Sequence, residues 1–196
     1  MPTIVNSSDF KDELFIPNAS IVPDIQTGGP SNQDKLSMFI EKYERLLLVN
    51  ALGIEQYDLL MTNSGQLTGK WRDLIDGKTY DGKRYDGIKN IIVYYVYVNF
   101  LKYEEVQFNT TGLERSNAAN STSVQPVYRK VDMWNMFVEM YQLYQCGCLT
   151  SFIFWDFFYG EYKTSFVSLY QFLKDNPEDY SADYFKFYRV QNILGI

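Results

Sequence analysis

Cys146-Gly147-Cys148 is the only thiol pair in the chain, and the sequence contains no histidine to stand beside it. A structural zinc site needs four ligands of the right kind, so this pair cannot complete one with its neighbours. It reads as two small apolar residues that stay reduced in a cytosolic setting. Gly65-Gln-Leu-Thr-Gly69-Lys70-Trp71 has the outline of a phosphate-cradling loop, but its glycines stand one residue too close. Trp71 also occupies the place of the Ser or Thr that would hold magnesium. Asp76, Asp81 and Asp86 each precede a glycine, yet they lack the alternating acidic ligands of a calcium loop. Carboxylate pairs remain: Asp132 and Glu139 share a face of an expected helix, and Glu104-Glu105 and Glu178-Asp179 are adjacent. Such pairs are the raw material of a glycan hydrolase, although no Trp-lined sugar cleft flanks any of them. The expectation is a chain with no catalytic residue, no metal site and no cofactor.

Against that scarcity of reactive groups stand 17 Tyr, 14 Phe and 3 Trp in 196 residues. Large aromatics bury much area at little rotamer cost and keep a polar tip, which suits contact surfaces. The formal charge of -6 opposes nonspecific binding to a phosphate backbone, which depends on Lys and Arg. The same acidity fits a surface past which DNA slides without sticking. Residues Met1 to Leu14 lack the basic start and apolar centre of a secretory signal, so synthesis in a cytoplasm is expected. The most apolar stretches, Ile88 to Leu101 and Leu149 to Tyr159, fall short of the ~20 apolar residues that a bilayer requires. No membrane partner is expected.

The elements that would position these side chains are helical. Ser31 or Asn32 suits the cap of a helix that runs to about Leu52 and stops at Gly53. Leu36, Phe39, Ile40, Tyr43, Leu46, Leu47 and Asn50 recur every three or four residues, with Glu41, Lys42, Glu44 and Arg45 mostly opposite. A second helix covers Ile54 to Met61, and a short third one turns Trp71, Leu74 and Ile75 inward. The fivefold-spaced Asp-Gly steps predict a small hairpin or consecutive turns on the surface. Ile88 to Glu104 is rich in β-branched residues, but its length and all-round apolarity predict a buried central helix. Val106 to Val124 reads as a long polar loop. Pro126 opens a helix with Val127, Val131, Trp134, Phe137, Val138, Tyr141 and Tyr144 on one side, and a further helix is expected from about Ser165 to Asp175.

The ends look different. Phe15 to Gln26 alternates apolar residues with Pro17 and Pro23 and reads as an extended, sticky strap. Leu149 to Ile196 packs fifteen aromatics into 48 residues, a density that reads as an arm reaching beyond its own domain. The expected organisation is an N-terminal arm (1–31), a helical core (32–148) and an aromatic-rich C-terminal arm (149–196). The fold class is all-α, a small helical bundle with a surface hairpin insertion and extended arms. Removal of the last 48 residues should then leave a folded core. The candidate intermolecular contacts are Phe15, Ile16, Pro17, Ile21, Val22 and Pro23 in the strap. In the C-terminal segment they are Phe154, Trp155, Phe157, Phe158, Tyr184, Phe185, Phe187 and Tyr188.

The order of these features resembles a known family. Phe-Ile-Pro-Asn-Ala-Ser-Ile-Val-Pro at Phe15 to Pro23, Phe39-Ile-Glu-Lys-Tyr-Glu-Arg-Leu-Leu and Leu52-Gly53 are its first part. Trp71-x-x-Leu74-x-x-Gly77-x-x-Tyr80, Gly87-Ile-Lys, the Tyr94-Tyr-Val-Tyr run and Tyr128-Arg-Lys-Val-Asp-Met-Trp-Asn complete it. The succession, over roughly Leu14 to Gln145, is similar to head-tail connector or neck adaptor proteins of tailed bacteriophages, particularly those of gut Bacteroidales and crAss-like phages. The resemblance implies a helical subunit of a homo-oligomeric ring, typically a dodecamer, seated below the portal protein in the virion. Such a ring extends the DNA channel without reading its sequence and presents a platform to the adjacent neck or tail ring protein. A tail-completion or stopper protein is the alternative within the same class. A head-to-tail ring needs two different complementary patches per subunit, and the arms would supply one.

Overall fold

The computed structural model describes residues 3–16, 32–63, 68–104, 106–109, 112–115, 127–142, 167–180 and 187. Six α-helices lie among them: α1 (Asn32–Leu52), α2 (Ile54–Thr62), α3 (Lys70–Asp76), α4 (Ile88–Glu104), α5 (Val127–Gln142) and α6 (Leu169–Asp175). Two antiparallel hairpins join them: β1 (Lys78–Tyr80) with β2 (Lys83–Tyr85), and β3 (Val106–Asn109) with β4 (Gly112–Arg115).

Helix α4 is the axis of the bundle. Ile88, Ile91, Ile92, Val93, Tyr95, Val96, Tyr97, Val98 and Phe100 are all buried, so nearly every face of the helix meets protein. Its neighbours are α1, α5, α3 and the N-terminal segment. This encirclement explains how a β-branched sequence becomes helical: contacts on all sides outweigh a propensity deficit of a few tenths of a kcal/mol per residue. Helices α1 and α4 run antiparallel, with Phe39 against Phe100 and Tyr103 and Tyr43 against Tyr95. The start of α1 and the end of α4 therefore share one end of the bundle.

On α1 the buried stripe is Leu36, Ile40, Glu44, Leu47, Leu48 and Ala51, rotated from the one expected. Leu46 faces outward and Glu44 faces inward. The segment read as a long polar loop contains the β3–β4 hairpin, in which Asn109 pairs with Gly112 across two intervening residues. Composition alone did not reveal this pairing of Val106–Asn109 with Gly112–Arg115.

The Asp-Gly reading holds for β1–β2. Asp81 and Gly82 form its two-residue turn with φ of 47° and 73°, the left-handed pair that matches strand twist. Gly77 and Gly87 close the base of this hairpin against each other. A Cβ built on Gly87 would lie 2.3 Å from the carbonyl oxygen of Ile75, and one on Gly77 would lie 2.3 Å from that of Tyr85. Both glycines also have φ near +90°. Gly87→Ala is expected to cost about 2–4 kcal/mol, because a left-handed backbone and a backbone clash act together. A chemical denaturation midpoint equal to that of the parent chain would contradict this.

Candidate functional site

The N-terminal residues bind the bundle through its side chains. Asn6 caps a 3₁₀ turn (Ser7–Asp9), and a second turn (Asp12–Leu14) follows. Val5, Phe10, Leu14 and Ile16, spaced before, between and after these turns, are buried in the core. Three sets of polar contacts tie the segment down. The Glu44 carboxylate on α1 accepts from Ile4 N–H at 2.9 and 3.0 Å and from Val5 N–H at 3.1 Å. Asp9 pairs with Lys89 Nζ on α4 at 2.9 Å. Glu13 accepts from the Tyr94 hydroxyl on α4, and its carbonyl accepts from the Arg129 guanidinium on α5.

Residues 3–16 are thus part of the core and not a free arm. Ile16, expected as an exposed contact, is only 4% exposed, because the bundle covers it in the single chain. Phe15, at 60% exposure, remains available. Pro17, Ile21, Val22 and Pro23 lie outside the described residues.

Glu44 is 1% exposed and was not among the residues singled out from sequence. Its spacing carried the signal, since position 44 follows Ile40 by four and precedes Leu48 by four on the inward stripe. Burial pushes its carboxyl up from 4.5 to about 7, although the Ile4 and Val5 N–H groups pull the other way. Among the described residues no lysine or arginine pairs with it. Burial raises the Tyr57 phenol, Arg45 opposes that rise, and Glu44, Asp58 and Glu41 add to it. The folded-state value lies above the unfolded one, so the folded protein holds an extra proton between these two values. The stability contribution is full below pH 4.5 and is lost as pH rises through about 7. Relative to Glu44→Gln, the parent chain is expected to lose about 2.5 kcal/mol between pH 5 and pH 8. Parallel stability profiles for the two proteins would contradict this. Sealed from water, Glu44 fastens the N-terminal segment to α1.

The C-terminal segment is held in the same manner. Ser168 caps α6 by accepting from Gln171 N–H, and Asn176-Pro177 ends it. Phe172 stacks on Tyr85 at 4.1 Å and meets the edges of Tyr80 and Tyr180. Asp175 accepts from Tyr80, Lys83 and Gln171. Burial alone would raise its carboxyl, but these donors hold it below the usual range. Lys70 donates to the Asp179 carbonyl and lies over the Trp71 ring. The lysine of the phosphate-loop outline is therefore committed to anchoring this segment.

Phe187 is 7% exposed, bracketed by the Gln142 amide, which donates to its carbonyl and accepts its N–H. Its ring closes a cluster with Tyr95, Trp134, Phe137 and Tyr141. Phe187 is the second correction to the intermolecular set. Residues 167–180 likewise dock on α3, β1–β2 and α5 in place of projecting as an arm. Phe154, Trp155, Phe157, Phe158, Tyr184, Phe185 and Tyr188 lie outside the described residues, as do Cys146 and Cys148.

At one end of the bundle two large apolar side chains are exposed among polar neighbours such as Gln33, Asp34, Ser37 and Lys102. Met38 is 67% exposed on α1 and Tyr103 is 56% exposed on α4, where these helices begin and end. Tyr103 continues inward through a chain of rings: Phe39 at 5.2 Å, Tyr43, Tyr95 and Phe137. Leu46, Ile54, Leu59 and Met136 are also exposed. Of the acid pairs, Asp132 is exposed and Glu139 half-buried on α5, separated by roughly 10 Å of helical rise. Asp76 and Asp86 pair with Arg72 and Arg84, and no group of metal-ligating side chains occurs among the described residues. No described helix is long and apolar enough to cross a membrane. No family model, no curated protein and no solved structure matches the chain.

Proposed function

We propose that this protein is a structural subunit of a tailed-phage neck, assembling into a ring, twelvefold in the resembling family, beneath the portal. In this reading the ring extends the DNA channel and offers a platform to the next neck or tail protein. Two observations support it: the succession of motifs from Phe15 to Asn135, and a mostly helical bundle of the kind that succession implies. The observation that carries it is the pair of large apolar side chains left exposed where α1 begins and α4 ends: Met38 on α1, and Tyr103 on α4 at the head of a continuous chain of rings. Large apolar side chains held out by a rigid base suit burial against another subunit.

Electron microscopy of the chain alone and with its cognate portal protein tests this. Portal-dependent rings are expected, and Met38→Lys with Tyr103→Lys should abolish them while the chain keeps a cooperative melt. A folded chain that leaves the portal bare would overturn the proposal, whereas rings seated on a tail component alone would favour the stopper reading.

A further inference from the structure

We propose that residues 3–16 are exchanged between neighbouring copies, each subunit seating its N-terminal segment in the groove of α1, α4 and α5 of the next. This deepens the ring reading and rests on it. The segment is bound as a ligand is bound: it joins no sheet and no helix of the bundle. Every anchor belongs to an element that follows residue 31, namely Glu44 on α1, Lys89 and Tyr94 on α4, and Arg129 on α5. Four apolar side chains, Val5, Phe10, Leu14 and Ile16, fill the same groove.

The connection supplies the reach. Fifteen residues separate Ile16 from Asn32, and they include Pro17, Pro23 and Pro30. Connections in compact domains are usually about 4–6 residues long. An extended chain of this length spans up to about 50 Å, more than the roughly 16 Å radius of gyration of a domain this size requires to reach an adjoining copy.

The energetics favour neither arrangement by contact. Exchange re-forms between chains the hydrogen bonds, ion pair and buried surface now made within one, so effective concentration decides the outcome. In a closed ring the neighbouring groove is held at a concentration comparable to a chain's own. Simple release has no such compensation, because it would uncover four apolar sites and leave Glu44 without its donors. Strap and groove are also two different complementary surfaces on one subunit, as a head-to-tail ring demands.

The Asp9–Lys89 pair allows a test on the unaltered full-length chain. Its 2.9 Å separation and partial exposure suit a zero-length carbodiimide, which joins carboxylate and amine as an amide. Equal amounts of nitrogen-15 and unlabelled chains are refolded together, divided into a monomer fraction and a fraction assembled with the cognate portal, and cross-linked. Mass spectrometry then reads the isotopes in the Asp9–Lys89 peptide pair. Same-isotope pairs alone are expected in the monomer, whereas mixed-isotope pairs appear in the ring and reach half of the total at complete exchange. Rings that yield only same-isotope pairs overturn the exchange and leave the ring reading standing. A mixture that forms no assembly overturns both.

Discussion

A chain ended after Phe166 is expected to lose its cooperative thermal transition. That truncation removes Leu169, Phe172, Leu173, Tyr180 and Phe187, all buried. It also uncovers the faces of Trp71, Tyr80, Tyr85, Phe137 and Tyr141 on which they lie. Burial of one large apolar side chain is worth about 1.5–3 kcal/mol, and a whole domain retains only about 5–15 kcal/mol. Five such losses, about 7.5–15 kcal/mol, are as large as that whole margin. Circular dichroism on heating checks this directly: a broad, sloping melt is expected. A sharp transition near that of the full chain would restore the view of the C-terminal segment as a dispensable arm.

Phe137→Ala is the single substitution with the largest expected effect. Its ring touches Tyr95, Trp134, Tyr141 and Phe187 and is wholly buried where α4, α5 and the C-terminal segment meet. Removing an aromatic from such a site costs about 3–5 kcal/mol, the transfer loss plus the cavity left behind. For a chain of this size that lowers the melting temperature by roughly 10 °C. Phe15→Ala is the control, since an exposed ring contributes within about 0.5 kcal/mol. The double variant Phe137→Ala with Phe187→Ala should cost less than the sum of the two single ones, because the rings share a contact. Equal melting temperatures for Phe137→Ala and Phe15→Ala would contradict the packing described.

Much of the helical frame was legible because its signals are local. Gly53 separates α1 from α2, the β1–β2 turn follows from Asp81-Gly82, and the length of Ile88 to Glu104 settled helix over strand. The rotated stripe on α1 was misjudged because Leu46 and Leu48 are the same residue type, and periodicity alone does not say which faces water. Glu44 was hidden by its charge. A carboxylate is assigned to solvent by default, and its real partners are the N–H groups of Ile4 and Val5, 40 and 39 residues away in sequence.

The terminal segments show the deeper limit. Aromatic density records that a side chain will be covered, not which chain will cover it. Phe187 and Ile16 are covered by their own bundle, whereas Phe15 is not. The small α3 and β1–β2 unit is too thin to bury Trp71, Tyr80 and Tyr85 alone, and α6 supplies the missing layer. That need arises only in three dimensions. The exposed pair of Met38 and Tyr103 was likewise invisible beforehand, since it depends on the antiparallel meeting of α1 and α4.

Native mass spectrometry of the cognate portal mixed with an excess of the full chain weighs the central claim most directly. One added copy of this chain for each portal subunit, in a single closed complex, is the expected mass. A portal that keeps its own mass beside a folded, monomeric chain would contradict it.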